Sequence, residues 1–131
     1  MSDEKSNKRA EEFIERMKKE RGPYIPAPWV YLAPKDIDFM EAYDNLYNRA
    51  LQDGKSLPTK YRELVCIGIL AHRGFEDIVV SHIKRALKFG ATKQEVLDAI
   101  ETTIIAGGAP TFGVGLNALM KVEEEEEKAK G

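Results

Sequence analysis

RELVCIGILAHRG at 62–74, FEDIVVSHIKRALKFGAT at 75–92 and GGAP at 107–110 decide how this chain is read. In the second stretch Phe75, Ile78, Val79, Ile83, Ala86 and Leu87 recur at the spacing of an amphipathic helix. Gly90 ends that helix as a left-handed cap. Thr92, with Glu95 three residues on, is a capping box that opens the next helix. Two residues sit oddly in this frame. Glu63 opens an almost wholly apolar segment, and His82 falls in the apolar stripe of its helix. A carboxylate or an imidazole directed into an apolar interior costs several kcal/mol unless it finds a partner. The pair is therefore either satisfied core or a site.

Working outward, the helix over 58–73 is polar only at its ends, which predicts a central, surrounded helix, with Ser56 as cap and Pro58 in the first turn. His72 suits the dipole at its C-terminus, and Gly74 caps it. Lys93–Ala106 predicts a helix with Val96, Leu97, Ile100, Ile104 and Ile105 inward. Gly107-Gly108 breaks it and Pro110 restarts a helix. Thr102, Thr103 and Asn117 are further candidates to line a pocket. Upstream, Asp36 caps a helix to Gln52 whose inner face is Phe39, Met40, Tyr43, Leu46, Tyr47 and Ala50, stopped by Asp53-Gly54. GPYIPAPWVYLAP at 22–34 carries too much proline for a regular helix and reads as a loop packed over the core, a pocket wall or an oligomer contact. Residues 3–20 are mostly charged, with Phe13, Ile14 and Met17 as a thin stripe that needs a partner surface. The Glu run after Val122 reads as a solvated end or a disordered tail. Three segments are thus expected: a charged N-terminal helix or arm (1–21), a main domain (22–122) and a Glu-rich tail (123–131). The chain reads as all-α, with six or seven helices.

Glu63, an apolar helix, His82 nineteen residues later, ALKFGAT and a helix ending in GGAP together resemble the carboxymuconolactone decarboxylase family. The resemblance covers roughly residues 29–118 and implies the single-domain alkylhydroperoxidase-D-like helical fold. The alkylhydroperoxidase branch of that family carries a Cys-x-x-Cys-x-x-x-His motif. Aligned on His82, its cysteine positions fall on Phe75 and Ile78, so both thiols are missing and the pattern is similar to the decarboxylase branch. The implied reaction removes carboxylate from a small lactone, stabilises charge on the ring oxygen and returns a proton to carbon. His82 is the implied proton donor, because imidazole titrates near working pH, and Glu63 its orienter. Arg62 or Arg85 would hold a substrate carboxylate, with Cys66, Phe75 and Ile78 as further lining. Family resemblance also implies a homo-hexamer or homo-trimer.

Three functions stay open on the sequence: this lyase, a thiol-dependent hydroperoxide reductase working through Cys66, and a helical oligomer that binds a small ligand without turnover. Composition narrows the field. The 131 residues suit one domain and hold 20 basic against 22 acidic side chains. The last eleven residues contain five Glu and three Lys, so the remainder carries seventeen of each sign and shows no footprint for nucleic acid. No apolar run reaches membrane-spanning length and the N-terminus is charged, so no membrane association and a cytoplasmic location are expected. A lone Cys allows no internal disulfide and no cysteine metal cluster; neither metal nor cofactor is expected, and the partner is a small-molecule substrate.

Overall fold

The computed structural model of the chain describes residues 2–21, 25–51 and 55–131. Among them all regular structure is helical: α1 (Ser2–Arg21), α2 (Ala27–Leu32), α3 (Ile37–Leu51), α4 (Thr59–His72), α5 (Glu76–Lys88) and α6 (Lys93–Lys130). The chain divides into two compact units, residues 1–50 and 51–131.

In the first unit the thin stripe of α1 is real. Ala10, Phe13 and Met17 are buried and join Ile25, Ala33, Ile37 and Met40 in a small core. Charge pairs fix the register of α1 against α3: Arg9 reaches Asp38 at 2.9 Å and Glu41 at 2.8 Å, and Arg16 reaches Asp44 at 3.2 Å. The proline-rich stretch corrects the sequence reading, since Ala27–Leu32 forms a short helix. Its prolines occupy only the positions a helix tolerates: Pro26 is the N-cap, Pro28 sits in the first turn, and Pro34 lies beyond the end. Trp29 packs on Tyr43 with ring centroids 5.2 Å apart. Asp36 caps α3, accepting from the Phe39 amide at 3.1 Å. The inner face of α3 differs from expectation. Ile37, Met40 and Asp44 are buried, whereas Phe39 and Leu46 are exposed and Ala50 faces solvent. Two apolar stripes run along this helix one residue apart. The core takes the one containing Asp44, because Arg16 and Asn48 satisfy its carboxylate. Residues 22–24 and the expected stop at Asp53-Gly54 lie outside the described residues.

In the second unit α4, α5 and α6 pack against one another around Ile67, Val79, Ile83, Val96, Ile100 and Ala118. Helix α4 begins at Thr59 with Pro58 as N-cap, so Ser56 is not the cap; Pro58 is extended at ψ 154° and Ser56 lies two residues before it. The Thr59 hydroxyl donates to the Leu51 carbonyl at 2.7 Å. Nor is α4 surrounded within the chain. Its Ile67 side is fully buried, but Val65 and Ile69 on the far side are more than half exposed. Helix α5 buries Val79, Val80, Ile83 and Ala86, and Gly74 and Gly90 flank it at φ +80° and +99°.

The capping box at Thr92–Glu95 is complete, with both reciprocal bonds formed at 2.9 and 3.0 Å. Gly108, at φ +81° and ψ 178°, breaks α6 into two arms, 93–107 and 109–130. The arms fold back antiparallel: Lys93 pairs with Glu126 at 2.5 Å, and a Cβ at Gly115 would meet Ile100 at 2.8 Å. By length and composition the 38-residue α6 contains a window apolar enough to cross a membrane, against the sequence reading, but the reversal at Gly108 divides it. Val96 and Ile100 face the core, while Ile104 and Ile105 do not; Ile105 is 90% exposed. The inward stripe steps through 96 and 100, and residues 104 and 105 belong to the last turn before the break. The Glu run is helical through Lys130, and its residues pair with Lys84 and Lys93.

Candidate active site

Helix α4 enters the core with a carboxylate in its first turns. Glu63 is fully buried, yet both of its oxygens are engaged. Oε2 lies 2.5 Å from His82 Nδ1, and Oε1 accepts from Arg85 Nε at 2.9 Å. His82 and Arg85 are three residues apart on α5, so one helix face delivers both. The desolvation of Glu63 is thereby offset by two charge-assisted contacts, and no described buried side-chain polar atom is left unsatisfied. Because Nδ1 faces the carboxylate, it carries the proton that donates to Glu63, and Nε2 remains for chemistry. His82 keeps 13% of its side chain exposed, whereas its orienter is fully buried.

Cys66 lies one turn after Glu63 on α4. The Glu63 oxygen, the Cys66 Sγ and a His82 nitrogen lie within 4.8 Å of one another. Burial, and next the Glu63 charge, push the Cys66 thiol above its ordinary value; Arg62 and Arg85 oppose this weakly. Oxygen, sulfur and nitrogen donors are the set a borderline divalent ion accepts. Glu63 would have to release His82 to ligate one, beside two guanidinium groups that add positive charge.

Of the other residues singled out from sequence, Arg85 has its Nε on Glu63 rather than turned wholly to solvent, and stands 5.9 Å over the Phe89 ring. Arg62 is half-buried and close enough to influence the Cys66 thiol. Phe75, the N-cap of α5, and Ile78 are exposed two turns and one turn before His82, and the Phe75 ring carries the Arg73 guanidinium 4.8 Å from its centroid.

One feature of the second unit escaped the sequence reading. A cleft of about 630 Å³ lies between α4 and the first arm of α6, on the face of α4 turned away from Glu63. Thr102 and Thr103 line it, as the sequence suggested; Asn117 does not. His72 Nδ1 lies 3.1 Å from the Thr111 hydroxyl, which donates to the Gly107 carbonyl at 3.0 Å. The catalytic candidates stay with Glu63 and His82 rather than with this cleft, because there a carboxylate, an imidazole and a guanidinium converge.

Known proteins share this architecture. A crystal structure from Burkholderia xenovorans LB400, named provisionally as a carboxymuconolactone decarboxylase, superposes with a TM-score of 0.78 at 25% identity, over 96% of this chain and 97% of that one. An uncharacterized protein of Methanocaldococcus jannaschii is 30% identical over 100 residues, which is 76% of this chain and 92% of the relative. A second uncharacterized protein of the same organism is 33% identical over 89 residues, 63% of this chain and 86% of the relative. The model of the carboxymuconolactone decarboxylase family matches residues 38–121, a span that contains Glu63, Cys66, His82 and Arg85. By that match, and by the helical fold that carries it, the chain belongs to the carboxymuconolactone decarboxylase family.

Proposed function

We propose that this protein is a carboxy-lyase that removes carbon dioxide from a small carboxylated lactone or a related acid, with His82 as the proton donor. The observation that carries the reading is the two-sided grip on Glu63, by His82 at 2.5 Å and Arg85 at 2.9 Å. Breaking the carbon–carboxylate bond leaves an electron pair that the conjugated lactone carbonyl delocalises. An imidazolium then delivers its Nε2 proton to carbon and becomes neutral imidazole, which solvent recharges. A buried carboxylate on Nδ1 holds the ring in one orientation throughout. Arg85 keeps that carboxylate aimed, through the contact of its Nε with Oε1. Arg62, beside the thiol, is the candidate to receive substrate carboxylate.

Hydroperoxide reduction is supported less well. The chain has one Cys, so no second thiol can resolve an oxidised Cys66 within a subunit, and its surroundings disfavour the thiolate that attack requires.

Carbon dioxide release from γ-carboxymuconolactone is the direct test. Wild type should turn over, and His82→Ala should lose about 10²–10⁴ of kcat, the usual contribution of a positioned acid. Glu63→Gln should lose about 10–100-fold. A His82→Ala protein of native helicity that works at the wild-type rate would refute the assignment, and so would a wild type with no turnover on this lactone or its open-chain acids.

A further inference from the structure

The cleft on the far side of α4 has a composition of its own. Its floor and walls are apolar or small: Leu64, Val65 and Ile69 from α4 face Ala99 and Ala106 from α6. Gly68 opens the floor, since a Cβ there would already touch the Thr103 methyl at 3.5 Å. Thr102 and Thr103 turn their hydroxyl protons to the carbonyls of Asp98 and Ile100, so neither offers a donor to the space. No acidic side chain lines it. Its polar groups gather at one end, where His72, Arg73 and Thr111 meet.

That end is built. The Thr111 hydroxyl lies 3.0 Å from the Gly107 carbonyl and 3.1 Å from His72 Nδ1, so it ties the end of α4 to the break in α6. Arg73 lies over the Phe75 ring. A guanidinium held near a ring keeps N–H groups for a hydrogen-bonding anion.

We propose that this cleft is a second small-molecule site, for an amphipathic monocarboxylic acid whose apolar body lies along α4 and whose carboxylate meets Arg73. Three properties select that class. A volume of about 630 Å³ is that of a small-ligand pocket rather than of a packing defect. The apolar lining has no donors along its length, so it favours hydrocarbon or an aromatic ring over a sugar or a nucleotide. The charged end is cationic and carries no acid to neutralise it, so it favours an anion over a neutral or basic head group. The site stands apart from the Glu63–His82 pair, which occupies the opposite side of the same helix.

Titration calorimetry of the full chain with octanoate, 1-octanol and octylamine tests this, with amide NMR to locate the response. Octanoate should bind saturably, one per chain, at least tenfold more tightly than the alcohol, with octylamine weakest. Shifts should centre on Gly68 and Gly107. Arg73→Ala should weaken octanoate at least tenfold and the alcohol less than twofold. Ala106→Trp, at an exposed helix position that tolerates bulk, should fill the cleft and abolish both. Equal affinity for acid and alcohol, indifference to Arg73→Ala, or retention of octanoate by Ala106→Trp would each overturn the proposal. So would octanoate binding that appears only on dissociation of an oligomer, since a second copy would then cover this face. Octanoate binding should persist in His82→Ala, so absence of decarboxylation does not bear on this outcome.

Discussion

At the scale of the residue, Glu63 connects stability to chemistry. Its carboxylate is shielded from water and holds two basic groups. Removing it leaves His82 and Arg85 facing a void. Glu63→Ala should destabilise the fold by about 2–4 kcal/mol, below the upper range for a fully buried pair because Arg85 keeps some solvent contact. Urea unfolding with an unchanged m-value would check this, and a shift under about 0.5 kcal/mol would contradict it. Cys66 makes a separate prediction. Burial raises its thiol above the ordinary value, so alkylation by iodoacetamide should be slow at pH 7 and accelerate only in alkaline solution. The linkage has the same sign. Above the unfolded thiol value, roughly 8.5, the unfolded chain loses its proton before the folded one does, so stability falls as pH rises there. Cys66→Ser should flatten that alkaline decline and leave carbon dioxide release within a few-fold of wild type. A thiol that reacts at pH 7 as fast as free cysteine would return peroxide chemistry to the first place.

At the scale of the element, α6 depends on two small features. Gly108 holds φ +81°, where an L side chain is strained, and Gly115 lets the second arm press on Ile100. Gly115→Leu should destabilise by about 1–3 kcal/mol through overpacking, because a Cβ would already lie 2.8 Å from the Ile100 side chain. Thermal unfolding should show the shift, and Gly113→Ala, which meets nothing within 4 Å, is the matched control. The N-terminus of α6 carries a pH signature. The Glu95 carboxyl is held below its ordinary value first by the Thr92 amide and then by Lys60, and that of Glu76 by Lys121. Depressed carboxyl values stabilise the fold above the unfolded value, and that contribution is lost as pH falls through the folded one. Stability should therefore decline below about pH 4.3. Thr92→Ala should weaken the helix start by about 1 kcal/mol and reduce part of that acid dependence.

At the scale of the whole molecule, large apolar side chains lie open on both units: Phe39 and Leu46 on α3, and Ile105, which is 90% exposed, on α6. Patches of this kind mark contact surfaces. We expect a homo-oligomer, so light scattering should give a multiple of the 14.8 kDa chain mass at micromolar concentration. Leu46→Lys, at a position that is 68% exposed, should shift the population toward monomer. A wild-type monomer would remove the expectation.

Spacing along single helices is a local property, and the sequence therefore determined the helices that local chemistry fixes: the capping box at Thr92, the glycine stops at Gly74 and Gly90, and the break before Pro110. It also marked Glu63 and His82, because an ionisable residue within an apolar stripe is conspicuous without any structure. What it could not determine depends on residues far apart in the chain. That the Arg85 Nε meets Glu63 shows only in the fold. Asp44 is interior because Arg16, from another helix, pairs with it. The two apolar stripes of α3 are equivalent to a periodicity argument, and only packing chose between them. Ile104 and Ile105 read as core from hydrophobicity alone, yet the last turn before Gly108 points them outward. The cleft beside α4 arises where small residues on two helices meet, and no single segment carries its outline. Periodicity and caps are written within a few turns of one helix; the depth to which a side chain is buried, and the partner that makes its burial tolerable, are set by the chain that folds over it.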